Sequence, residues 1–172
     1  MLSARPSKFG TGRPARSGSS ESMTDKPFVS NGWEVGGIRQ AAAFFDALVE
    51  LLSLPTYLCF EGTSVAPDVR AVLEANAVAP AMNIKAGTLW PKPSIFHILA
   101  AEPLLRTLAT LARHHAEPEI CDHFHAYQNG HGLLQWYDAF SDPLLVDETI
   151  AEAAVQHFCS KLGVGYSRRR AE

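Results

Sequence analysis

Reactive side chains are densest in residues 119–140, EICDHFHAYQNGHGLLQWYDAF, where a thiol, three imidazoles and several carboxylates flank an Asn129-Gly130 pair. Asn-Gly favours a two-residue type I′ turn, because both positions need positive φ. Strict alternation from that turn pairs Gln128 with His131, Ala126 with Leu133, His123 with Trp136 and Cys121 with Asp138. Cys121, His123, His125, Tyr127, Leu134, Trp136 and Asp138 then share one face, roughly 5–7 Å from one another. Phe124, Ala126, Leu133 and Tyr137 take the other, with Asp122 and Gln135.

Such a face has three uses. Cys, His and Asp are the ligand types of zinc, so His123, His125, Cys121 and Asp138 form a candidate site for a divalent metal. Asp138 could instead orient His123 as a general base, giving a metal-assisted or histidine-dependent hydrolase whose nucleophile is an activated water. Tyr127, Trp136 and His125 would alternatively form an aromatic and imidazole surface for binding a protein. HExxH, CxxC, GxSxG, GxGxxG and GxxxxGK[ST] patterns are all missing, which excludes the families those motifs mark.

Three further sites are weaker. Glu61-Gly62-Thr63-Ser64 lies between a strand and a helix, where backbone amides can hold an anion. His97 sits in SIFHIL beside Ile95 and Leu99, as a hydrogen-bonded core histidine that a neighbouring strand could bring to His123. His114 and His115 fall at the end of a helix, where they would cap it.

Periodicity supplies the elements that position these groups. Ile38 to Leu52 recur at helical spacing and predict a helix over 38–53. A strand over 56–61, a helix over 67–76 opened by Pro67, two strands within 82–99 and a helix over 103–115 follow. After the hairpin comes a helix over 147–162, with Asp147 as N-cap and Gly163 as C′. The order is that of an α+β domain, a mostly antiparallel sheet including the hairpin and covered by about four helices.

Residues 1–30, rich in Ser, Gly, Pro and Arg, read as a disordered extension, with Met23 an alternative start; 31–165 read as a single domain and 166–172 as a short basic tail. Residues 1–22 hold four bases and one acid, and 166–172 three bases and one acid. The chain's net −3 therefore leaves −8 on residues 23–165, from 16 acids and 8 bases. An acidic body repels nucleic acid and favours a basic protein partner. Three scattered cysteines and no long apolar run point to reduced thiols, no membrane span and a cytoplasmic location. The leading expectation is a small protein-binding module, immunity- or antitoxin-like, that needs no cofactor, with the hydrolase as its alternative.

Overall fold

The computed structural model describes residues 28–53 and 55–170. Ala41, Phe44, Phe45, Leu48 and Leu51 fall on one stripe, so α1 (Ala41–Leu51) buries that stripe against a sheet. Pro67 opens α2 (Pro67–Ala75) and Pro103 sits in the first turn of α3 (Glu102–Leu111), positions where the missing N–H costs nothing. α4 (Glu152–Leu162) ends at Gly163, whose φ of 67° is the left-handed conformation a helix stop favours.

Seven strands make one sheet: β1 (Gly32–Val35), β2 (Tyr57–Gly62), β3 (Ser94–Leu99), β4 (His123–Gln128), β5 (His131–Trp136), β6 (Leu144–Asp147) and β7 (Tyr166–Arg169). Their order is β3-β2-β4-β5-β6-β1-β7, and every pairing is antiparallel. The fold is α+β, with four α-helices and a seven-stranded antiparallel sheet among the described residues. On the sheet's core face Phe60, Phe124 and Trp136 meet Phe44 and Phe45 of α1, with ring centroids 4.9–6.4 Å apart. Among the described residues no helix is long and apolar enough to cross a membrane.

The structure departs from the sequence expectation in several places. β1, β6 and β7 are four-residue strands, too short for alternation to reveal; β7 puts much of the expected basic tail into the sheet. Residues 82–93 form no strand: they belong to an irregular segment over 77–93 that folds across the sheet. Asp147 caps no helix; it ends β6 and accepts from His131 Nε2 (2.9 Å) and from the N–H and hydroxyl of Thr149, while α4 starts five residues later. Residues 28–30 are placed, with Val29 buried and its N–H donated to Gln135 Oε1 (2.9 Å). The expectation of disorder over 1–27 lies outside the described residues.

The hairpin turns at Asn129 (φ 52°) and Gly130 (φ 73°), but its register is not the simple one. Gln128 faces His131 and Tyr127 faces Gly132, after which Ala126 faces Leu134, His125 faces Gln135 and Phe124 faces Trp136. Leu133 is a bulge residue. The extra residue turns apolar Leu134 and Trp136 to the core and polar Gln135 outward, the arrangement that burial favours. Trp136 therefore opposes Phe124, not His123, and lies on the opposite face from His123, His125 and Tyr127.

Candidate functional site

The sheet's second face is polar at its centre. Alternation puts Cys59 and Glu61 of β2, His97 of β3, and His123, His125 and Tyr127 of β4 on it. Phe28–Asn31 cross one part: Phe28 packs edge-on against His125, and a Cβ at Gly132 would lie 2.4 Å from the Phe28 carbonyl. Residues 77–93 cross the other part as a flap.

Glu61 and His123, paired across β2 and β4, hold this flap. The Glu61 carboxylate is 2% exposed and accepts the N–H groups of Gly87 (2.9 Å) and Thr88 (2.6 Å). His123 Nδ1 accepts the Asp138 N–H (2.9 Å), so the neutral ring carries its proton on Nε2, facing Thr88 Oγ1 at 2.9 Å. Gly87 is required here: a Cβ would come within 2.5 Å of the His123 ring and 2.9 Å of Tyr137.

A second relay anchors the start of the flap. The Ala81 N–H donates to Tyr127 Oη (3.2 Å), which is also hydrogen-bonded to His97 Nδ1 (2.9 Å), while His97 Nε2 lies 3.8 Å from Cys59 Sγ. Burial, then the nearby Glu61 charge, pushes the Cys59 thiol up to about 12, so it is protonated at neutral pH. Between the two anchors His125 is fully buried, with neither ring nitrogen hydrogen-bonded in the structure. Burial, followed by the neighbouring His123 and His97, lowers its pKa to about 4.

The expected site residues are thus dispersed. His123, His125 and Tyr127 share the face, but His125 and Tyr127 are fully buried beneath covering segments and Trp136 is buried on the core side, where its Nε1 donates to the Asp142 carbonyl (2.7 Å). None of the three can touch a partner in this state. Asp138 does meet His123, but through its backbone N–H; its carboxylate stays 3.8 Å from Nδ1, with the side chain 70% exposed. Cys121 is buried in the core cluster, and desolvation raises its pKa, opposing the thiolate a metal needs. Among the described residues no three His, Cys, Asp or Glu side chains are grouped to hold a metal.

The other candidates resolve locally. The turn after β2 binds an anion supplied by the chain itself: the Asp122 carboxylate accepts both the N–H and the hydroxyl of Thr63 at 2.7 Å. His97 lies beside β2, which separates it from His123. α3 stops at Leu111, and His115 bonds Asp68 (2.9 Å) rather than capping the helix.

Sequence reasoning missed the surface this machinery presents. Leu89 and Trp90, at the flap's crest, are 91% and 86% exposed. The five exposed large apolar residues among those described, Val78, Leu89, Trp90, Ile95 and Leu99, all fall within the flap and β3. Below Val78 and Leu99, α2 and α3 enclose an apolar trough of about 750 Å³ that also takes in Ala71, Ala75 and Leu104. Leu89-Trp90-Pro91, set between polar Thr88 and Lys92, is the signal the sequence offers for it. The chain matches no protein-family profile, no curated protein and no solved structure.

Proposed function

We propose that this chain is a protein-binding module whose contact surface is the apolar flap and β3 edge, with Leu89 and Trp90 as its anchors. One observation carries the reading: two large apolar side chains stand almost wholly in solvent on a segment whose base is clamped by buried groups. Leaving an indole in water forfeits the burial that usually holds such a residue. A tryptophan held rigidly outward supplies contact area at little ordering cost, which is how binding hot spots are built.

The histidines and Glu61 are then the floor that positions the flap, not the contact surface. The hydrolase alternative requires His123 to act on a substrate, whereas both of its nitrogens already have partners, one of them in the flap. An immunity- or antitoxin-like role is the form of this reading in which the partner is a toxic protein.

A photo-crosslinking amino acid at position 92 of the full chain, exposed beside the crest, irradiated in the cells that make it, tests the reading. A discrete adduct is expected that disappears with Leu89→Asp and does not form from exposed Gln156 on α4. Equal crosslinking from positions 92 and 156, or none from 92, overturns it.

A further inference from the structure

We infer that His123 makes the flap a pH-sensitive latch: a proton added to its ring moves the imidazole from its flap and backbone partners to the carboxylates of Glu61 and Asp138, and releases the segment that carries Leu89 and Trp90. This rests on the binding reading above and gives that surface its regulation.

The held flap needs a neutral ring. His123 Nδ1 accepts the Asp138 N–H (2.9 Å), and Nε2 faces the Thr88 hydroxyl (2.9 Å). The second proton of an imidazolium goes on Nδ1, where it would point at the Asp138 N–H, and two donors set against each other inside the protein lose their bond. A ring that has left these partners has no such conflict. The held state thus binds one proton fewer than the released state, and falling pH favours release.

The charged ring has a carboxylate on each side. Glu61 Oε1 lies 3.8 Å from Nε2, and Asp138 Oδ1 lies 3.8 Å from Nδ1. Charge-assisted bonds of this type close to roughly 2.7–2.9 Å, so a shift of about 1 Å at each end forms them. The Glu61 side is where the flap is lost. Oε1 is the atom that accepts the Thr88 N–H (2.6 Å), and Nε2 is the atom that meets its hydroxyl, so their union takes both from Thr88. Gly87 packs so closely that a Cβ there would lie 2.5 Å from the His123 ring, and a ring that tilts presses on the flap backbone. Leu89 and Trp90 follow Thr88 directly and lose their rigid mount with it.

The surroundings single out His123 as the sensor. Facing it are Glu61 from β2, His125 from β4, and Tyr137 and Asp138 from the segment after β5. Asp122 is turned to Thr63, the flap residues against the ring, Gly87 and Thr88, carry no charge, and Lys85 and Lys92 are exposed. His125 has neither nitrogen hydrogen-bonded, and burial holds its pKa near 4, so it stays neutral over most of the range in which imidazoles ordinarily titrate.

NMR of the full chain from about pH 7.5 to 5 tests this, following the His123 ring and the backbone amides together. Expected is that the Gly87 and Thr88 amides move to disordered-chain positions with the same midpoint as the His123 ring, while Phe60 and Phe124 in the central strands keep theirs. Asp138→Asn removes one acid that favours the charged ring and should lower that midpoint by about 0.3–0.5 pH unit; His125→Phe should leave it in place. A His123 ring that titrates while Thr88 holds its position overturns the inference, as does a flap that stays held to pH 5 or one whose opening is abolished by His125→Phe. A flap that never opens beside a discrete adduct from position 92 leaves the binding reading standing without this regulation. A flap that opens without any adduct leaves the latch and removes the binding reading.

Discussion

Glu61 Oε1 lies 3.8 Å from His123 Nε2 across the β2–β4 pair, and the same two atoms bond one flap residue, Thr88. Two buried ionisable groups are spent on a backbone that forms no regular element. Their removal should therefore act on the flap before it acts on the sheet.

Glu61→Gln keeps the shape but leaves one of two N–H donors facing an amide N–H instead of a carboxylate. It should cost about 1–3 kcal/mol in denaturant unfolding and speed hydrogen exchange at Gly87 and Thr88. Asp138→Asn, at a carboxylate that is mostly exposed, should stay within about 0.5 kcal/mol. A larger effect from Asp138 would return the carboxylate–imidazole pair to the centre of the site.

Gly87→Ala drives a methyl into the His123 ring and should destabilise by about 1–3 kcal/mol. Gly36→Ala meets open space among the described residues and should change stability by less than about 0.5 kcal/mol. Thermal melts of the two variants measure the difference, and equal melts would contradict the close approach of flap to floor.

His125 gives the fold an acid-labile point. Its pKa is near 4 when folded, against an unperturbed value near 6.5. The unfolded chain then binds more protons between those values, and stability is full above pH 6.5 and falls as pH drops towards 4. The difference amounts to about 3 kcal/mol for this group. His97, lowered by burial, acts in the same direction. His125→Phe should flatten the pH 4–6.5 limb of a urea-unfolding series, whereas an unchanged slope would show that the imidazole has a partner in solution.

The long, regular elements were legible: α1, α2, α3, β2, β3 and the Asn129-Gly130 turn follow from periodicity and turn chemistry. The hairpin's register was not, because the bulge at Leu133 is decided by what lies on each face, by Phe44 against Trp136 and by Phe28 crossing Gly132. Those are long-range contacts that a local pattern does not contain. The histidines were found, but not what packs against them, for the same reason: sequence spacing put His123 beside Asp138 and could not show Thr88 and Gly87 arriving from 35 and 36 residues away.

Trp90→Ala, measured for folding stability and for the adduct formed from position 92, tests the central claim most directly. A side chain that is 86% exposed should leave unfolding within about 0.5 kcal/mol of wild type while the adduct is lost, as removal of a binding anchor requires. An unchanged adduct, or a loss of stability above about 1 kcal/mol, would show that Trp90 serves the fold and not a contact, and would contradict the account.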